Sequence, residues 1–339
     1  MRKITLHIAT SPHVVKGAST ETIMKNVIYA LLPAAAFGVY AFGISALLVL
    51  LTTTISAVAI EHFLCKISKK ESTVSDYSAA ITGLLLGMCL PPDFPLWMAF
   101  MGSAISIGLG KFIFGGLGYN VFNPALVGRA FLQATFPVAI TTWYQAFGPD
   151  RFYHISSSVL ALPFMQPAVD GVSGATPLSA FKFDHVDTQT YDLAMGFING
   201  SIGETGTVFL ILGGIYLAWR KMLNWRIPVS IFITVFVFSG AAYLINNTAY
   251  PSPVFTLFSG GLMLGAIYMA TDMVASPITS MGVWVYGAII GILVVMIRLW
   301  GGLPEGVMYA ILLANAISPH IDNLIRPRVY GTTNKLKLS

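Results

Sequence analysis

The chain has 339 residues, of which 55% are hydrophobic and only 10% charged, and its formal net charge is +5. A water-soluble globule of this size needs far more charge to cover its surface, so the composition excludes a soluble domain and points to a polytopic membrane protein. The positive balance does not indicate a nucleic-acid partner, because the basic residues cluster at the ends of apolar runs, where they set topology.

In chain order, the polar stretch 1–26 carries His7, His13, Lys16 and Glu21 and lacks the apolar core of a cleaved signal, so it is expected to remain as a cytosolic segment. A bilayer takes about 20 residues per spanning helix. Ten apolar runs approach that length: 27–40, 44–64, 79–91, 96–114, 122–136, 205–218, 228–245, 255–271, 283–300 and 306–325. The third stops at Leu90-Pro91-Pro92, and the eighth at Thr271-Asp272 followed by Ser276-Pro277. With the N-terminus inside, all nineteen basic residues except Arg151, Lys182 and Arg298 fall at cytosolic ends or loops. That bias predicts ten crossings, cytosolic N- and C-termini and an extracytoplasmic loop over 146–204, which carries an acidic excess.

An internal repeat supports the same plan. Gly83-Leu84-Leu85-Leu86-Gly87 returns as Gly261-Leu262-Met263-Leu264-Gly265, and Gly115-Gly116-Leu117 returns as Gly301-Gly302-Leu303. The expected fold is therefore an all-α integral membrane protein built from two inverted five-helix repeats, like urea transporters. Its parts are a cytosolic segment 1–26, a first repeat 27–145, the loop 146–204, a second repeat 205–325 and a cytosolic tail 326–339. Chance similarity between Leu- and Gly-rich runs is the competing explanation. The two cysteines, Cys65 and Cys89, form no CxxC motif, so any iron–sulfur cluster belongs to a partner.

The loop contains Asp170-Gly171-Val172-Ser173-Gly174-Ala175-Thr176-Pro177. This octet resembles the Ser-Gly-Ala-Thr motif in which a flavin transferase esterifies FMN, through its phosphate, to the last threonine. Gly171, Gly174 and Ala175 remove bulk, and Pro177 holds Thr176 extended, where an outside enzyme reaches its hydroxyl. The spacing is not that of a nucleophile elbow, and an ordinary turn is the plain alternative. A second run, Gly115-Gly116-Leu117-Gly118-Tyr119-Asn120-Val121-Phe122-Asn123-Pro124-Ala125-Leu126-Val127-Gly128-Arg129, is expected at the cytosolic turn before the fifth span. On its residues alone, Asn123-Pro124 is a good helix start and Arg129 a snorkelling cation.

Over nearly its whole length, and through these two motifs, the chain resembles the membrane flavoprotein family of RnfD, from the RNF electron-transport complex, and NqrB, from sodium-pumping NADH:quinone reductase. The resemblance implies covalent FMN on Thr176, with Asp170, Ser173, Gly174 and Ala175 around it. It also implies a non-covalent riboflavin near Gly115, Gly116, Asn120, Asn123 and Arg129. The implied function is electron transfer between ferredoxin and NAD coupled to Na⁺ or H⁺ movement in a bacterial inner membrane. Other membrane and peripheral RNF subunits and a flavin transferase are the implied partners. A non-redox solute channel of urea-transporter type is the rival reading, and the long loop argues against it.

Two acids are candidates on position alone. Asp272, at the break of the eighth span, is a candidate coupling-ion ligand, with freed carbonyls as co-ligands or, more simply, a helix cap. Glu61, late in the second span, is expected at the interface. His62 and His320 are expected near interfaces, and the six tryptophans near helix ends.

Overall fold

The computed structural model describes residues 19–163, 165, 174–184, 186, 188–247 and 249–326. Among these the regular structure is helical, with no strand. Asp170 and Ser173 lie outside the described residues.

Helix α1 (Thr20–Phe42) starts at Thr20 rather than at 27, because the Ser19 side chain accepts from Thr22 N at 3.2 Å and caps the first turn. A one-residue corner at Gly43 (φ 80°) leads into α2 (Ile44–Ile67). Only glycine fits there, since a Cβ would collide with the Arg151 carbonyl. The next helices are α3 (Ser78–Met88), α4 (Leu96–Ile107) and α5 (Pro124–Thr135). Pro137 then opens a short α6 (Pro137–Thr141).

The stretch expected as an extramembrane loop holds two helices, α7 (Pro177–Asp184) and α8 (Thr190–Met195). Its end is not a solvated loop: Ile198, Ser201, Ile202 and Glu204 are buried. Ile202 N donates to Leu90 O at 3.2 Å and Gly203 N to Met88 O at 2.7 Å. The segment thus satisfies carbonyls left free where α3 stops short.

Helices α9 (Thr207–Trp219) and α10 (Arg226–Ile245) follow. The expected eighth span is broken in its middle as well as at its end. It comprises α11 (Pro253–Phe258), an irregular link, α12 (Leu262–Leu264) and a π-helical turn Gly265–Met269. The chain closes with α13 (Ser280–Trp300) and α14 (Val307–Leu324). Helix lies within every one of the ten expected spans, but among the described residues only α1, α2, α10 and α13 are long and apolar enough to cross a bilayer unaided.

A main core binds most of these elements, while Leu178, Leu193, Ile198 and Phe255 form a separate cluster under α7 and α8. Helix α2 packs on α3 and α4, α4 on α5, α1 on α9, α10 on α13, and α14 on both α13 and α5. Small residues set the closest approaches. Gly213 lies against the Ala30 backbone of α1 and the Tyr268 hydroxyl, and Gly128 of α5 lies against Gly102 and Ser106 of α4.

Candidate functional site

Helix α5 organises two separate sites, and its sequence explains why. Asn123 caps it, accepting from Ala125 N at 3.0 Å and Leu126 N at 3.4 Å, and Pro124 follows at the first helical position. Arg129 is six residues further on, which is roughly 9 Å along the axis and about 240° around it. The Asn-Pro-Ala-Leu-x-x-Arg pattern therefore divides between two cavities.

The larger cavity, about 440 Å³, has Thr176 in its wall. Arg129, Trp143, Glu204, Gly260 and Glu305 also line it, with an apolar surface from Ile140, Phe183, Leu303 and Met308. Thr176 is not the open acceptor expected from its loop: it is only 7% exposed. It sits at the start of α7, where its hydroxyl accepts from Ser179 N at 3.2 Å and meets Ser179 Oγ at 2.9 Å. The Ser/Thr-before-proline pattern that suggests an extended, accessible residue is equally a helix start, and that alternative prevails. Gly174 N donates to Trp143 O at 3.0 Å, and Ala175 lies in the wall beside Thr176. Lys182 fastens α7 by donating to the carbonyls of Arg298, Gly301 and Leu303 at 3.0, 2.5 and 3.1 Å. Desolvation against α13 lowers the pKa of its ammonium.

Four charged side chains gather here, Arg129, Glu204 and Glu305 in the cavity wall and Arg298 behind Gly260. Arg129 pairs with Glu305, whose other oxygen accepts from Gly261 N at 2.9 Å. Glu204 accepts from Ser201 Oγ at 2.9 Å. Arg298, on α13, donates to Thr256 O at 2.6 Å and Ser259 O at 2.9 Å. These bonds occupy backbone groups at the break between α11 and α12, so the charges serve the broken helix as well as one another. Sequence groups Arg129 with Gly115 and Asn120 near the cytosolic turn. Its position in the second turn of α5, turned toward α14, places it with Thr176 instead.

The smaller cavity, about 160 Å³, lies at the other end of α5. Asn120, Asn123, Lys111, Tyr268 and Asp272 line it. Asn120 Nδ2 donates to Asp272 Oδ2 at 3.0 Å and to Phe122 O at 3.2 Å. Asn123 Nδ2 donates to Met269 O at 3.1 Å, a carbonyl at the end of the π-helical turn. Asp272 Oδ1 accepts from Val274 N at 3.1 Å, the simpler capping role open to it. The structure thus joins Asp272 to the asparagine pair that sequence separates by about 150 residues. Gly115 and Gly116 are in the preceding turn, at φ 119° and 106°, and do not line the cavity.

Glu61, expected at the interface, is buried in an ion pair. It is 2% exposed and holds Lys111 Nζ at 2.7 and 2.8 Å, with Thr73 as a further donor. Lys111 belongs to a π-helical turn, Gly108–Phe112, whose extra residue rotates the side chain inward. His62 and His320 are exposed. Sequence reasoning missed Glu305 and Arg298 as site residues. The available signal was an acid directly before the last apolar run and a lone arginine inside the ninth.

Comparison with known proteins places this geometry in a family. Residues 7–331 match the family described as NQR2, RnfD, RnfE. The chain is 43% identical to the D subunit of the proton-translocating ferredoxin:NAD(+) oxidoreductase complex of Clostridium ljungdahlii, over 98% of each chain. It is 39% identical to the D subunit of the Na(+)-translocating ferredoxin:NAD(+) oxidoreductase complex of Acetobacterium woodii, again over 98% of each. The D subunit of the ion-translocating oxidoreductase complex of Actinobacillus succinogenes is 36% identical, with the match covering 96% of this chain and 97% of that one.

Proposed function

The chain belongs to the NQR2, RnfD, RnfE family, and on that premise we propose that it is the membrane electron-carrier subunit of an RNF-type ferredoxin:NAD oxidoreductase complex, passing electrons through FMN esterified to Thr176 and coupling them to Na⁺ or H⁺ translocation. One observation carries the reading: the threonine of the Ser-Gly-Ala-Thr motif lines a large cavity beside a buried arginine and a tryptophan. The volume, about 440 Å³, lies in the range of small-molecule sites, and the mainly apolar wall with a few placed polar groups suits a three-ring aromatic ligand. Bound flavin supplies exchange of one or two electrons, while the protein supplies position and electrostatics. The full-length match to D subunits of ferredoxin:NAD(+) oxidoreductase complexes supports this assignment over the quinone-reductase branch and over a solute channel.

In this reading the chain lies in a bacterial inner membrane with both termini cytosolic, among the other RNF subunits. It makes ten crossings as two inverted five-helix repeats, 27–145 and 205–325, and 146–204 is the extracytoplasmic connection bearing the flavin. Because Thr176 is buried and capping α7, the flavin transferase acts before that helix docks. Asn120, Asn123 and Asp272 are the groups available for a non-covalent flavin or a coupling ion at the other cavity.

The test is ultraviolet fluorescence of the SDS-denatured band after co-expression with a flavin transferase. Fluorescence in the wild type that disappears in Thr176→Val is the expected result. A dark wild-type band in the presence of active transferase refutes the flavin assignment.

A further inference from the structure

We propose that Arg129 is the group that offsets the negative charge of the reduced flavin in the Thr176 cavity, and that Glu305 sets how much of its positive charge is available. The inference rests on the flavin reading of Thr176 and adds the residue that tunes it.

Three observations lead to it. Arg129 is the one cation among the described residues lining the cavity that also contains Thr176. It is buried, and its Nε has no partner among the described residues. The guanidinium is 8% exposed and only one of its Nη groups is committed to a carboxylate, so at the cavity wall it retains donors for an acceptor that the cavity takes up. The isoalloxazine ring offers carbonyl and ring-nitrogen acceptors on one edge, and those atoms gain charge when an electron arrives.

The surrounding charges show why this arginine, rather than its neighbour, takes the role. Arg298 commits two nitrogens to the carbonyls of Thr256 and Ser259 and does not line the cavity. Arg129 donates to a carboxylate through one Nη, and its further polar neighbours are the Cys89 thiol, a weak acceptor, and the Glu204 carboxyl group. Donor capacity of the planar fork thus remains for a ligand. Glu305 is itself held by Gly261 N, so it cannot follow Arg129 toward that ligand. Its fixed negative charge moderates the arginine's field. No bond forms or breaks at Arg129. One electron enters the flavin from a reduced iron–sulfur donor, and the guanidinium interacts more strongly with the charge it brings.

The experiment uses the purified complex carrying covalent FMN, titrated with dithionite and mediators while flavin absorbance is followed. Arg129→Gln is expected to disfavour the reduced form at least tenfold, a negative shift of about 59 mV per one-electron step. Glu305→Gln removes the carboxylate paired with the arginine and is expected to shift the potential the other way. Fluorescence of the denatured band should persist in both variants. A purely structural ion pair would not give shifts of opposite sign. Bright bands with unmoved potentials, or with shifts of one sign, overturn the inference while leaving the flavin on Thr176 standing. A dark wild-type band overturns both. If Arg129→Gln does not accumulate, the sign of the Glu305→Gln shift decides.

Discussion

Lys111→Met tests the buried ion pair at the opposite end of the molecule. In the native fold Lys111 Nζ reaches both oxygens of Glu61, at 2.7 and 2.8 Å, and Ser78 Oγ at 2.5 Å. The two side chains are 4% and 3% exposed, so neither ion has water to fall back on. Removing the lysine leaves the carboxylate with Thr73 as its remaining side-chain donor, and loss of one partner from a buried pair costs about 3–5 kcal/mol. With an unfolding entropy of about 2.1 cal/mol/K per residue over 339 residues, that is a fall of about 4–7 °C in melting temperature. Glu61→Gln alone should fall in the same range, because it strands the ammonium. The double variant Glu61→Gln/Lys111→Met should recover at least half of the summed loss, since no ion is then left unpaired. Thermal unfolding in detergent, followed by tryptophan fluorescence, reads all four corners of the cycle. Single losses below about 1 °C that simply add would show that the pair is solvated and the reasoning wrong.

Three further outcomes follow from particular contacts. Burial pushes the pKa of Asp93, in the α3–α4 connection, up to about 6 from 3.8, so the folded state binds the extra proton between those values. Stability should therefore fall as pH rises from about 4 to 6, by up to about 3 kcal/mol, and Asp93→Asn should flatten that slope in melting-temperature profiles. Asn123→Ala removes the cap of α5 and the bond to Met269 O; a loss of about 1–2 kcal/mol is expected, and an unchanged melting temperature would mean that water replaces both. Gly43→Ala places a methyl against the Arg151 carbonyl at a positive φ, and should lower the melting temperature more than Gly116→Ala, whose site is open though its φ is also positive.

Much of this protein is legible from residue order because a bilayer makes composition decisive. Apolar runs must become helices where no water can satisfy the backbone, which is why helix lies within all ten expected spans and why Asn123-Pro124 correctly marks the start of α5. Local signals also mislead. Thr176-Pro177 reads equally as an exposed turn and as a buried helix cap, and the difference lies in Ser179 and in what α7 packs against. Glu61 and Lys111 each look interfacial at 50 residues' separation, and nothing in either neighbourhood announces the other.

Sequence by itself determined the class, the ten helix-bearing apolar runs, the Asn123-Pro124 helix start and the motif threonine, since each depends on hydropathy or on neighbours within a turn. Tertiary structure alone decided the partners: Asp272 with Asn120, Glu305 with Arg129, and Arg129 with the Thr176 cavity rather than with the glycine turn. The reason is geometric. A helix rotates each residue by a fixed angle, so which cavity a side chain enters depends on where neighbouring helices stand, and those positions are set by close packing among elements far apart in the chain.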